Sequence, residues 1–283
     1  MSVKIIFMGT PEFAVPSLKA LSESKYEIIS VYTQPPKKNQ RGQKIKKSPI
    51  HLAAERLNID VRTPIQLDTR EEYDFFHKKK PNLVVVVAYG NLIPEKLLKI
   101  PKLLFINLHA SLLPRWRGAA PVERAILNQD KETGVSIMKI VKGLDAGPYM
   151  RQVKVPINHA ISAGELKNTL SEIGSKTILE SIDLISKGEE KFIEQISSNS
   201  TYAKKIEKSE AKIIWEEQAG KIVSKINAFN PKPGAWFKYK NFRYKIFKAK
   251  EVNFQGPAGE ILDNNLTVGA GNNSIKILEI QKE

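Results

Sequence analysis

Leu83-Val84-Val85-Val86-Val87-Ala88-Tyr89 is an unbroken apolar run with four consecutive valines. A strand with one wet face alternates apolar and polar residues. This run does not alternate, so as a strand it is covered on both faces. Such strands belong to parallel sheets sandwiched between helices. Working outward, residues 3–8, 27–32, 103–107 and 135–141 form similar short apolar runs. Helical patterns lie between and after them. One runs through Phe13, Val15, Leu18 and Leu21, and another covers residues 49–57. A long one over residues 164–187 carries Leu166, Leu170, Ile173, Ile178, Ile182 and Ile185. The predicted fold class is α/β, with a doubly wound, mostly parallel sheet.

The pattern changes after residue 187. Residues 188–205 are polar, include Ser197-Ser198-Asn199-Ser200, and read as a linker. One more amphipathic helix is predicted over residues 219–229. Beyond Pro231-Lys232-Pro233-Gly234 come short alternating segments, at 235–239, 243–248, 259–263, 266–269 and 274–280. Turn sequences such as Asp263-Asn264-Asn265 separate them. Strands at this spacing predict a small open β-barrel of the OB-like kind. The expected organisation is a catalytic domain over 1–187, the linker, and a barrel domain over 206–283. The total of 283 residues agrees with about two domains, at ~150 residues each.

Lysine and arginine number 45 against 30 aspartates and glutamates, a net charge of +15. That excess points to a polyanionic partner, although a lysine-rich proteome produces the same sign. Cysteine is absent, which removes disulfide scaffolds, thiolate metal sites and cysteine nucleophiles. No run approaches the ~18 apolar residues of a membrane span, and the N-terminal run is too short for a signal segment. The expected location is the cytoplasm, with no membrane partner.

Two phosphate-binding patterns fail. Gly9 follows the first strand alone, where a dinucleotide fingerprint needs three glycines. Gly174-Ser175-Lys176-Thr177 lacks the upstream glycine of a P-loop. His51, His77, His109 and His159 are dispersed, so no metal site is expected.

The informative stretch runs from Asn107 through His109, Ser111, Leu112, Leu113 and Pro114 to Arg117 and Gly118. At strand period, Asn107 and His109 project from one face, at the carboxyl end of a presumed parallel strand. Asparagine offers an amide donor, and histidine exchanges protons near neutral pH. Together they suit an oxyanion on a tetrahedral carbon. Asp145 follows a later strand within Lys142-Gly143-Leu144-Asp145-Ala146-Gly147. It could orient His109 or position a water. Each residue taken alone has an ordinary structural use, as a core histidine, a turn aspartate or a strand cap. Spacing does not bring the three together.

These residues carry a resemblance. Asn-x-His-x-Ser-Leu-Leu-Pro-x-x-Arg-Gly followed by Gly-Leu-Asp-x-Gly resembles the folate-dependent formyltransferases. The longer match is to the methionyl-tRNA formyltransferase family. It includes Phe7-Met8-Gly9-Thr10-Pro11-Glu12-Phe13-Ala14, Thr33-Gln34-Pro35, Arg41-Gly42-Gln43-Lys44, Tyr89-Gly90-Asn91-Leu92-Ile93-Pro94 and Asn230-Pro231-Lys232-Pro233-Gly234-Ala235. The resemblance implies a Rossmann-like domain followed by an open barrel. It implies transfer of the formyl group of 10-formyltetrahydrofolate to the α-amino group of methionyl initiator tRNA, without a metal and on a monomer. Asn107, His109 and Asp145 match the catalytic triple. Ser111, Leu112, Leu113 and Pro114 match a folate-contacting segment, and Tyr89, Gly90, Leu92 and Ile93 match part of the pterin pocket. The chain stops soon after residue 280, earlier than the family pattern, so an abbreviated barrel is expected.

Two basic stretches are the candidate tRNA surfaces. Lys37, Lys38, Arg41, Lys44, Lys46 and Lys47 lie in one loop without an acidic residue. The resemblance places that loop at the tRNA acceptor end, and Arg41 is the best candidate for a specific contact there, since a guanidinium can bridge a phosphate or base edge bidentately. Residues 232–250 carry seven more basic residues interleaved with Trp236, Phe237, Tyr239, Phe242, Tyr244 and Phe247. There the aromatics are expected in the core and the lysines on the alternate face. Lys204, Lys205 and Lys208 could extend this surface. The rival readings are formyl transfer to a small amine and a non-catalytic RNA-binding protein.

Overall fold

The computed structural model describes residues 3–38 and 45–283. The central sheet has seven strands: β1 (Lys4–Gly9), β2 (Glu27–Tyr32), β3 (Val61–Arg62), β4 (Leu83–Val87), β5 (Leu104–His109), β6 (Glu132–Lys139) and β7 (Tyr149–Pro156). Their spatial order is β7-β6-β5-β4-β1-β2-β3. Strands β1 to β5 pair in parallel, and β6 runs antiparallel to β5. The valine-rich strand β4 is the centre of this arrangement, with every one of its residues buried. Chain order reverses between β1 and β4, and that crevice is where open α/β sheets bind ligands.

Helices α1 (Val15–Ser22), α2 (Pro49–Arg56) and α3 (Arg70–Lys79) connect the first strands. Ser48 caps α2 by accepting from the His51 amide at 3.0 Å. Thr69 caps α3 through the Glu72 amide at 3.3 Å. Helix α3 has no long apolar stripe to give it away, since its buried residues are only Glu72, Tyr73 and Phe76. Glu72 is tolerable there because Arg62 binds both of its carboxylate oxygens.

The 25-residue helix α5 (Ala163–Lys187), which follows α4 (Pro121–Leu127), begins at a Ser162–Glu165 capping pair. Its Gly174 has a packing use. A Cβ there would fall 2.6 Å from Leu108 Cδ2, so glycine lets the helix approach β5. The Ser175 and Thr177 hydroxyls donate to carbonyls within the same helix. The P-loop lookalike is therefore ordinary helix.

The chain divides into two compact units. The first comprises Met1–Arg117, Gly134–Lys154 and Thr169–Thr201, and the second Gly118–Thr133, Val155–Asn168 and Tyr202–Glu283. In the second unit α4 packs against α6 (Ala219–Phe229). Beside α6 lies an antiparallel half-barrel of β8 (Ala235–Tyr239), β9 (Phe242–Val252), β10 (Thr267–Gly269) and β11 (Ser274–Lys282), in the order β8-β9-β11-β10. Its core is Ala235, Ile246, Ala249, Val268, Ile275 and Ile277. The segment expected as a strand at 259–263 makes only an isolated bridge, Ile261 to Val268.

The aromatics of β8 and β9 differ from expectation. None of the six is fully buried, and Tyr239 and Phe242 are both 47 % exposed. They satisfy one another instead. Phe237 stacks on Tyr244 at 5.6 Å, and Arg243 lies 4.1 Å over the Trp236 ring. Ala235, Ile246 and Ala249 take the inward positions of these two strands.

Candidate active site

Strand β5 delivers Asn107 and His109 where the sheet ends. Asn107 sits between Val86 of β4 and Met138 of β6, and His109 is opposite Ser136. Asn107 is half-buried, and its carboxamide is engaged in no hydrogen bond among the described residues. His109 is buried, with Nε2 2.8 Å from the Trp116 carbonyl oxygen. A carbonyl only accepts, so that nitrogen carries a proton. Nδ1 faces Asp145, whose Oδ2 lies 3.6 Å away. That separation is an ion-pair distance and slightly beyond a hydrogen bond.

Asp145 comes from the loop after β6 and holds φ +45°, a left-handed value unusual outside glycine. Gly147 fastens the loop. A Cβ there would stand 1.9 Å from the Lys139 carbonyl oxygen. Trp116 and Ala88 also adopt left-handed backbone, at φ +60° and +49°. Strained residues gathered at strand ends are a recurrent mark of functional loops.

The segment Ser111–Pro114 is held from behind. Ser136 Oγ donates to the Ser111 carbonyl at 2.6 Å and accepts from the Leu113 amide at 3.1 Å. Gln152 Nε2 donates to the Leu113 carbonyl at 2.8 Å and to Ser136 Oγ at 2.9 Å. The Ser111 hydroxyl turns inward to the Arg115 carbonyl, and Leu113 is buried. Leu112 and Pro114 are the half-exposed members of this stretch.

At the switch point, Thr10 Oγ1 donates to the Tyr89 carbonyl at 2.7 Å, and Gln34 Nε2 approaches the same oxygen at 3.4 Å. The Tyr89 ring is core, and burial pushes its phenol up to about 12. What this loop presents outward is backbone at Gly90 and the apolar chains that follow. Leu92 is 88 % exposed, and Ile65 is 82 % exposed. Asn91 ties the loop to the Ile65 carbonyl, and Ile93 is half-buried.

A second polar network lies behind the Asp145 loop. Arg117 is 4 % exposed and donates to Gln195 Oε1 through Nε at 3.0 Å and an Nη at 2.8 Å. Gln195 Nε2 donates to the carbonyls of Asp145, at 2.9 Å, and Gly147, at 2.6 Å. Thr201 receives the amides of Trp116, at 2.9 Å, and Arg117, at 2.8 Å. Ser136, Gln152, Gln195 and Thr201 escaped sequence reading. Each is an isolated polar residue without a motif, and only their partners give them a role.

The predicted nucleic-acid residues are dispersed. Lys37 and Lys46 are exposed and pair through their backbones, while Arg41 and Lys44 lie outside the described residues. Lys38 is described only through its backbone pairing with Ile45. Lys47 is tied to Glu55. In the second unit Lys205 and Lys208 are exposed, and Lys205 lines a shallow cleft with Tyr202, Lys204, Glu207, Glu210 and Arg124. Arg124 grips both Glu210 oxygens, at 2.6 and 3.0 Å, and the Lys204 carbonyl at 3.1 Å. That guanidinium holds the Glu210 carboxyl below the usual carboxylate range. On the half-barrel, Arg243 and Lys245 pair with Glu283. Among the described residues no cluster of three histidines, cysteines, aspartates or glutamates could hold a metal ion.

The sequence pattern of the formyl transferase family matches residues 2–182, and that of the formyl transferase C-terminal domain matches residues 205–283. A curated methionyl-tRNA formyltransferase of Pelagibacter ubique is 51 % identical over 285 residues, covering 100 % of this chain and 92 % of the relative. One from Chelativorans is 40 % identical over 287 residues, with the same coverage. Among solved structures, an N-formyltransferase from Helicobacter canadensis, in complex with folinic acid and dTDP-3-aminofucose, superposes with a TM-score of 0.73. It is 23 % identical, with 99 % of this chain and 100 % of that chain covered, and so shares the fold.

Proposed function

The chain belongs to the methionyl-tRNA formyltransferase family, and on that premise we propose how its residues work. It transfers a formyl group from 10-formyltetrahydrofolate to the α-amino group of methionyl initiator tRNA. The observation that carries the residue assignment is the buried His109 with Asp145 3.6 Å from Nδ1, beside the open carboxamide of Asn107.

The folate is a substrate, and it supplies the electrophilic formyl carbon together with its own nitrogen as leaving group. The loops at the sheet end fit such a molecule. Exposed Leu92 and Ile65 offer apolar walls for a flat heterocycle, and the backbone around Gly90 offers donors and acceptors. When the amine adds, negative charge gathers on the formyl oxygen. The Asn107 amide donates to that oxygen, and His109, with its Nε2–H held by the Trp116 carbonyl and Nδ1 facing Asp145, supports it electrostatically rather than by a direct hydrogen bond. Asp145 keeps His109 oriented and accepts the proton the amine releases. That proton is then available to the departing nitrogen, so the transfer closes without net proton change.

Exposed Lys37, Lys46, Lys205 and Lys208, together with Lys38, Arg41, Lys44 and Lys47, are read as the tRNA-contacting cations. Their occupant in this reading is the acceptor stem, since the amino group to be formylated is at its end. The reading places a monomer in the cytoplasm, where translation starts.

The test offers the protein 10-formyltetrahydrofolate with four acceptors: methionyl initiator tRNA, methionyl elongator tRNA, free methionine and glycinamide ribonucleotide. Mass spectrometry of the products is expected to show formylation of the initiator alone. Formylation of a small amine instead would move the substrate. Tight tRNA binding without folate binding would favour the non-catalytic RNA-binding reading.

A further inference from the structure

We infer that Gln195 is a positioning residue for this reaction, acting through Asp145. The inference rests on the catalytic reading of Asp145 given above.

Gln195 is 9 % exposed and uses both ends of its amide. Its oxygen receives two donors from buried Arg117, and its nitrogen donates to two carbonyls, at Asp145 and Gly147. Arg117 and Asp145 belong to different loops. Arg117 closes the loop that starts at His109, and the Trp116 carbonyl beside it receives the His109 proton. The other loop presents the carboxylate to His109. One side chain therefore links the loop that orients the imidazole to the loop that orients its acid. The segment that supplies it adds a second tie, because Thr201 receives the Trp116 and Arg117 amides.

The chemistry requires an amide at this position. Both Arg117 contacts need an acceptor, and both loop carbonyls need a donor. A guanidinium on the amide oxygen also polarises the amide and strengthens the N–H bonds beyond it. Those bonds hold Asp145 in a left-handed conformation that a non-glycine residue adopts only when its surroundings impose it. A glutamate at 195 would still receive Arg117, but it would set an oxygen against two carbonyl oxygens and release the Asp145 loop. A small shift of a reacting group is costly, because catalytic geometry is held to fractions of an ångström.

The protein is assayed over a range of folate and tRNA concentrations with Gln195→Glu, with Asp145→Asn and with both together, alongside thermal melts. Gln195→Glu is expected to lower kcat about 10- to 100-fold. KM for the folate and for the tRNA should stay within about threefold, since neither is bound by the amide. In the Asp145→Asn background, Gln195→Glu should cost less than about twofold more, because the group it positions is already gone. Should Gln195→Glu fail to fold, Gln195→Met removes the same bonds at similar volume and carries the same expectations.

Wild-type kcat in a folded Gln195 variant would overturn the inference. So would losses that multiply with Asp145→Asn, which would mark a merely structural residue. An Asp145→Asn enzyme with full turnover would overturn the catalytic reading, and this inference with it. An inactive Asp145→Asn beside a fully active Gln195→Glu would overturn only the inference.

Discussion

The His109–Asp145 region and the basic surface of the second unit solve opposite problems with polar residues. Around His109 the polar groups are few and buried, and nearly every donor has a named acceptor: His109 has the Trp116 carbonyl, Gln195 that of Asp145, Ser136 that of Ser111 and Gln152 that of Leu113. Around Lys205 and Lys208 the charges are exposed, repeated and only partly paired. Buried polar groups are expensive unless satisfied, so each member of the first region depends on the rest. Solvated charges act through a shared field, so each member of the second is individually dispensable. On the proposed reading, chemistry therefore concentrates in single residues, whereas nucleic-acid affinity is spread over many.

The sharpest way to break this contrast is at the triple. His109→Ala and Asp145→Ala are each expected to lower single-turnover formylation about 10²- to 10⁴-fold with the thermal transition retained. A near-normal rate in either would remove its assignment. Asn107→Asp should cost about 10²- to 10³-fold, because a carboxylate repels the charge that the amide steadies. Activity close to wild type there would mean that another donor serves the oxyanion.

The supporting loop comes next. Gly147→Ala puts a Cβ against the Lys139 carbonyl. It is expected to destabilise the protein by about 1–3 kcal/mol and to depress kcat along with it. Chemical denaturation paired with the formylation assay reads both quantities.

Lys205→Ala and Lys208→Ala should be milder. Each should weaken tRNA binding modestly and reduce the slope of log affinity against log salt by about 0.7–0.9. Filter binding from low to high salt measures this, and an unchanged slope would remove that lysine from the interface. The smallest effect is expected at Glu210, whose carboxyl is depressed chiefly by its hydrogen bonds with Arg124. A depressed carboxyl stabilises the fold above its unfolded value and loses that contribution as pH falls through its folded value. Arg124→Met should therefore melt lower at neutral pH and converge on the wild type in acid. Parallel melting curves from neutral pH to acid would contradict the pairing.

Much of the fold was legible because burial on two faces leaves no choice of residue. The valine run of β4 and the apolar spacing of α5 announce themselves. Helix α3 was missed because its charged surface hides a narrow buried face. The half-barrel aromatics were misjudged because large side chains can satisfy each other at a sheet face while alanines and branched aliphatic residues fill its interior. At the site, the shared strand face of Asn107 and His109 was legible from strand period, and Asp145 from its place between glycines after a later strand, but only the family resemblance joined the three.

What the amino-acid order determined by itself was local and periodic: which segments become strands and helices, which residues share a strand face, where charge accumulates. Those properties follow from side-chain volume, alternation and sign, and they need no knowledge of distant partners. The meeting of His109 with Asp145, the inward turn of Ser111 and the linkage of two loops by Gln195 were decided only in three dimensions. Each requires residues far apart in the chain to come within hydrogen-bonding or ion-pair range. A glutamine in a polar stretch looks like a solvated side chain until a buried arginine and two carbonyls are found around it.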